Sequence, residues 1–211
     1  MACLDAVLLT HEHCDHTSGL VALVKAAKRP LPVYLTRGCC QFIDWGESIP
    51  ALQFFQAGCG CTIGDIDVAS FTIPHDAMDP VGFTLRSQGV KMAIATDLGY
   101  ITDSLRVHMR GSHVVVLESN HDLEMLRVGP YPWSVKQRVM SRRGHLSNEV
   151  AAQFIANDLD STVDTIILGH ISEHNNHPEL VRSLALKSIR NPLFTKLFVA
   201  EPGLQSEVFC Y

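Results

Sequence analysis

The chain has no apolar run that approaches the length of a membrane span, no low-complexity linker and no repeat with a solenoid period. The first absence excludes a spanning helix; the others exclude tethered and solenoid architectures. No secretory leader precedes the first expected strand. The seven cysteines are odd in number and closely spaced, with Cys39 beside Cys40 and Cys59 one residue from Cys61. Such spacings make no disulfide framework, so a reducing cytoplasm is expected. Cys59 and Cys61 offer thiolates to a metal, but without a second pair a plain turn is the simpler reading. Charged residues are few, 18%, against 46% hydrophobic, which excludes a disordered chain. The formal net charge of −5 argues against nonspecific coating of nucleic acid and leaves room for a local basic patch. At 211 residues, one domain spanning 1–211 with a sizeable core is expected.

What the chain does have is His11-Glu12-His13-Cys14-Asp15-His16, three imidazoles and two carboxylates within six residues. Leu4 to Leu9 has the length and aliphatic content of a buried strand. Thr17-Ser18-Gly19, ahead of Leu20-Val21-Ala22-Leu23-Val24, reads as a helix start. The cluster therefore falls on a strand-to-helix loop, where a rigid scaffold presents functional groups. Along a continuing strand, His11 and His13 point the same way, while Asp15 and His16 lie past the bend and face a second point. Two metal ions side by side suit this arrangement, since imidazole and carboxylate both ligate zinc and a paired site clamps both oxygens of a displacement. A histidine-rich surface loop, the alternative, does not account for that spacing.

The later chain reads as alternating strands and helices, hence an α/β layered class. Helices are expected over 18–29, 37–45, 101–109, 133–140 and 178–189, with another opening at Ser147 as N-cap and Glu149 in its first turn. Strands are expected over 33–36, 51–55, 65–73, 113–117, 164–168, 196–200 and 207–211, with a hairpin pairing 81–85 with 90–95. Four strands end in a residue able to bind metal: His11 and its neighbours, His75, Asp97 and His170. A fifth ends at Glu118 and His121.

His11-x-His13-x-Asp15-His16 resembles the dinuclear metal motif of metallo-β-lactamase-fold hydrolases, and His170-Ile171-Ser172 resembles the last motif of their ribonuclease Z type. A narrower resemblance rests on His75-Asp76-Ala77 with Pro80-Val81-Gly82-Phe83, then Glu118-Ser119-Asn120-His121-Asp122, Gly129-Pro130-Tyr131-Pro132 and Ser141-Arg142-Arg143-Gly144-His145-Leu146-Ser147-Asn148. Together these look like the WalJ/YycJ-like family, over nearly all of the chain. The resemblance implies a metallo-β-lactamase αβ/βα sandwich. Family members begin with additional strands, whereas this chain starts one strand before His11, so the fold is expected to lack the first N-terminal strands. The open edge this leaves predicts self-association into a homo-oligomer.

The resemblance further implies that His11, His13 and His75 hold one divalent ion, that Asp15, His16 and His170 hold the other, and that Asp97 bridges them. Zinc is the first choice because five of the seven ligands are imidazoles; manganese is the second because two are carboxylates. The implied activity is bacterial metal-dependent hydrolysis of nucleic-acid phosphodiesters, with exonuclease action on DNA. A water held between the ions attacks phosphorus in line, and Asp15 and Asp97 count among the catalytic residues. His121 and His145 are both candidates to protonate the leaving oxygen, against the alternatives of a capped turn and a helix N-terminal hydrogen bond. Glu118 is expected to orient His121.

Lys136, Arg138, Arg142 and Arg143 precede the helix start at Ser147 and Asn148, an arrangement that binds phosphate; a solvated helix face is the alternative. Tyr131 and Trp133 offer rings for base stacking, although core or rim packing is simpler. His108, His113, His174 and His177 have no spacing partner. Three functions follow: a dinuclear nuclease, a same-fold hydrolase of a lactone, thioester or cyclic nucleotide, and a non-catalytic metal-binding fragment. The expected partner is nucleic acid, DNA ahead of RNA, and no membrane.

Overall fold

The computed structural model describes residues 4–46 and 50–211. Two sheets stack face to face. The smaller is parallel, in the order β1 (Val7–Leu8), β2 (Pro32–Thr36), β3 (Ala51–Phe55). The larger comprises β4 (Gly60–Ile63), β5 (Ile66–Thr72), β6 (Val81–Ser87), β7 (Val90–Ala95), β8 (Val114–Glu118), β9 (Thr165–Gly169) and β10 (Lys196–Val199), in spatial order β10-β9-β8-β7-β6-β5-β4. Strands β4 to β7 form an antiparallel meander, and β7 to β10 are parallel. Val114-Val115-Val116-Leu117 is the continuous apolar run that a central parallel strand covered on both faces requires.

Eight helices accompany them among the described residues: α1 (Cys14–Thr17), α2 (Leu20–Ala26), α3 (Arg37–Cys40), α4 (Asp103–Met109), α5 (Leu123–Val128), α6 (Trp133–Val139), α7 (Asn148–Asn157) and α8 (Pro178–Ser188). The main core packs Ala93, Val115, Leu117, Ile166 and Leu168 of the larger sheet against Leu105 and Met109 of α4, Phe154 and Ile155 of α7, and Val181 and Ala185 of α8. Between the sheets, Val68, Val81 and Phe83 meet Leu8 and Phe55, the Phe55 and Phe83 rings edge to face at 5.9 Å. On the far side of the smaller sheet, Leu20 and Cys39 cover Val33 and Leu35. The result is the helix–sheet–sheet–helix sandwich expected from the sequence.

This topology places the functional residues. Because β5 and β7 are each antiparallel to β6, and β7, β8 and β9 are parallel, four strands point the same way and end at one edge. His75, Asp97, Glu118 and His170 all lie at those ends, where open α/β sheets present ligand sites. The exit of β1 is stitched to the same edge by the Val81 amide, which donates to the Thr10 carbonyl at 3.0 Å. Asp97 and His170 both have positive φ, 61° and 56°. That region is uncommon for non-glycine residues, and such strain gathers at functional sites.

Several element expectations are corrected. The 18–29 helix is shorter, α2 following the separate turn α1. The 37–45 helix stops at Cys40, because Asp44 caps the Gly46 amide at 2.9 Å and Gly46 takes φ 55°. Residues 207–211 form no strand; Phe209 instead sets its ring edge to face on Phe198 of β10, at 4.5 Å. Strand β4 and helix α5 were not expected. Gly60 and Cys61 do not remain in a turn but begin β4, with the free thiols of Cys59 and Cys61 outside any metal-binding group among the described residues. Cys3 lies outside the described residues. No described helix is long and apolar enough to cross a membrane.

Candidate metal centre

Three imidazole nitrogens converge where β1 and β5 end. His11 Nε2 lies 3.1 Å and His75 Nε2 3.2 Å from His13 Nδ1. Zinc–nitrogen bonds of about 2.0–2.1 Å at tetrahedral angles place ligand nitrogens about 3.3 Å apart, so the set fits one ion. The far nitrogens of His75 and His11 have partners that orient the rings. His75 Nδ1 donates to the Gly144 carbonyl at 3.2 Å, and His11 Nδ1 sits 3.1 Å from Thr10 Oγ1. Burial, with His16 adding repulsion, pushes His11 down to about 3, and burial likewise lowers His75. Both rings are therefore neutral and have lone pairs to offer.

The neighbouring set is Asp15, His16, Asp97 and His170. His16 Nδ1 lies 3.1 Å from the same Thr10 hydroxyl, whose oxygen can accept from both rings when each ligates through Nε2. His16 Nε2 is 3.3 Å from Asp97 Oδ2, and His170 Nε2 is 3.5 Å from Asp15 Oδ2. Asp97 Oδ1 lies 3.4 Å from His170 Nε2 and 3.8 Å from His75 Nε2, so this one carboxylate reaches both sets. Its Oδ2 is buried with no hydrogen-bond donor, a cost that a cation removes. Burial works to raise the Asp97 pKa, but the neighbouring His16 and His170 rings hold it well below the usual carboxylate range. Burial works against the charged form of His170 too, yet Glu118, Asp97 and Asp15 outweigh it and push it up to about 9. A cation bound there displaces that proton. The seven residues fit two divalent ions.

Glu118 organises the far side of the centre. Fully buried, it accepts from the Leu98 and Leu146 amides through Oε2, at 3.0 and 2.9 Å. Its Oε1 accepts from His145 Nδ1 at 2.8 Å and His170 Nδ1 at 2.6 Å. The partner expected for Glu118, His121, is thus corrected to His145 and His170. The pairing of Glu118 with Gly169 across β8 and β9 is what sets it beside His170. His121 is buried, its Nδ1 has no hydrogen-bond partner, and burial lowers it to about 4, so it carries no proton to give near neutrality. His145 is half-buried and keeps its Nε2 edge free at a cleft of about 570 Å³. Two glycines permit this closeness. A Cβ on Gly144 would strike the Arg138 and Val139 carbonyls, and one on Gly99 would strike the Arg142 backbone.

The basic stretch divides. Lys136, expected to bind phosphate, is buried, and its ammonium caps the Arg127 and Gly129 carbonyls at 2.7 and 2.8 Å; its polar head is spent on folding. Arg138 is exposed, forms a two-pronged ion pair with Asp76 and lines the 570 Å³ cleft. Arg142 and Arg143 line a second cleft of about 490 Å³ on the His75 side, Arg142 lying over the Tyr100 ring at 4.0 Å. Ser147 is the N-cap of α7, its Oγ accepting from Val150, as expected. Asn148 is buried, held by Ser119 at 2.7 Å and Asn176 at 2.9 Å, and supports the loop instead of facing solvent. Trp133 is exposed and outside both clefts. Thr10, Asp76 and the pairing of His174 with Tyr131 were not read from the sequence. Thr10 directly precedes the motif and Asp76 follows His75, so adjacency was an available signal for those two.

A sandwich with these paired His/Asp sets at its strand ends defines the class, a metallo-β-lactamase-fold protein. Comparison with known proteins agrees. Residues 1–171 match the family described as Beta-lactamase superfamily domain. The chain is 41% identical over 182 residues to Exodeoxyribonuclease YycJ of Bacillus anthracis, covering 85% of this chain and 68% of that protein. To Exodeoxyribonuclease WalJ of Streptococcus pneumoniae it is 36% identical over 182 residues, covering 84% and 67%. Among solved structures, the metallo-beta-lactamase fold protein YhfI of Bacillus subtilis shares the fold, with TM-score 0.74 and 17% identity over 95% of this chain and 76% of that one. The chain belongs to the beta-lactamase superfamily and, within it, to the WalJ/YycJ-like group.

Proposed function

We propose that the chain is a metal-dependent phosphodiesterase that acts on nucleic acid as an exonuclease, with DNA ahead of RNA as substrate. The observation that carries this reading is the Glu118–His145 pair set against the two ligand sets, which supplies a proton donor where a leaving oxygen would depart. The names of the curated relatives support the same chemistry. Bound divalent ions, zinc first and manganese second, supply Lewis acidity toward the phosphoryl group and activate the attacking water. Asp97 holds the two sets in register. Glu118 keeps His145 Nδ1 occupied and leaves Nε2 as the edge that faces the substrate. Arg142 and Arg143 carry the phosphates of the adjoining strand.

The test is cleavage of short single- and double-stranded oligonucleotides with zinc and with manganese, beside Asp97→Ala. Release of mononucleotides by the native chain alone is the expected result. Turnover restricted to a small ester would make the chain a small-substrate hydrolase of the same fold. Bound metal with no hydrolysis at all would make it a non-catalytic metal-binding protein.

A further inference from the structure

We infer that the cleft beside His145 and His170 seats the terminal nucleoside of the strand, with its base against Tyr131 and His174; this rests on the phosphodiesterase reading. At about 570 Å³ the cleft has the size of a small-molecule site, enough for one nucleotide. Tyr131 and His174 meet edge to face in its wall, their ring centroids 6.0 Å apart at 88°. The pair is preformed by backbone docking, not by chance contact of mobile side chains. Gly129, two residues before Tyr131, is pressed so closely on the Asn175 side chain that a Cβ there would overlap it. The Asn175 carbonyl in turn accepts from the Asp122 amide at 2.9 Å, fixing the His174 segment. The face of one such ring, braced by the edge of the other, accepts any base, because every base has a π-face.

Charge then assigns direction. Arg138 is at the cleft, and Glu173 and Glu201 line it too. With Arg138 paired to Asp76, the two carboxylates suit a neutral nucleoside whose hydroxyl or amino groups donate; they oppose a run of phosphates. The second cleft, on the His75 side, carries Arg142 and Arg143 and suits the polymer. The scissile phosphate then falls between them, at the ligand sets, and the nucleotide released is the one in the Tyr131–His174 cleft.

Calorimetric binding of dAMP and of 2-deoxyribose 5-phosphate to the metal-loaded full chain tests this, for the native protein, Tyr131→Phe, Tyr131→Ala and His174→Ala, each checked for metal content and thermal stability. The native chain and Tyr131→Phe should bind dAMP roughly tenfold or more tightly than the sugar phosphate, and Tyr131→Ala should lose most of that preference. Equal binding of the two probes, no dAMP binding, or a preference untouched in both alanine variants overturns the assignment. A Tyr131-dependent preference without oligonucleotide cleavage would leave the nucleoside seat standing and remove the phosphodiesterase reading. Cleavage without the preference would do the reverse.

Discussion

The two halves of the centre are built differently. On one side, His11 and His75 are buried, neutral and anchored through their far nitrogens, and with His13 they present three nitrogens and no carboxylate of their own. On the other, Asp15 is 58% exposed at its side chain, His170 is pushed up to about 9, and the ring is tied through Glu118 to His145. Thus one half is a nest of imidazoles, two of them buried, and the other is open to the cleft and coupled to the proposed acid, His145. Asp97 is the residue that belongs to both. Under the proposed function, the difference gives holding to the first half and chemistry to the second.

Asp97→Asn attacks both halves at once and should have the largest effect. Phosphodiester turnover falls on the order of a thousandfold or more, since residues that act as a unit fail together. Elemental analysis should show metal content reduced as well. His145→Ala separates chemistry from holding. Its kcat should drop by about 10²–10⁴ while the metal stays, the range for loss of a general acid. Glu118→Gln should lower turnover and weaken the carboxylate-side ion by about 10–100-fold. Were His145→Ala to strip metal instead, His145 would be a ligand, and the division of labour would be wrong.

Graded chelation sharpens the contrast further. The ion beside exposed Asp15 should leave before the one among His11, His13 and His75, with activity lost at the first departure; simultaneous loss would erase the distinction. The smallest effect concerns the rim. Arg142→Ala with Arg143→Ala should lower the slope of log affinity against log salt by about 2 on an oligonucleotide. Lys136→Met should leave that slope alone and reduce Tm, because two carbonyls lose their donor.

The candidate ligand set was legible in the sequence because four of its members are local and the other three sit where apolar strands end. Period-two alternation and the strand-exit rule reach that far. The partner of Glu118 was not legible, since it depends on the parallel register of β8 with β9, and no local pattern sets that register. Lys136 reads as one of four clustered cations; only the fold reveals that its ammonium turns inward to cap α5. Strand β4 was missed because Cys59-Gly60-Cys61 has turn composition, and pairing with β5 overrides it. Residues 207–211 show the reverse: strand-like composition that finds no ladder.

Anomalous diffraction from crystals soaked in zinc tests the central claim most directly. Two peaks are predicted, one among His11, His13 and His75 and one among Asp15, His16 and His170, with Asp97 between them. A single peak, or one held by Glu118 and His145, would contradict the two-halved centre described above.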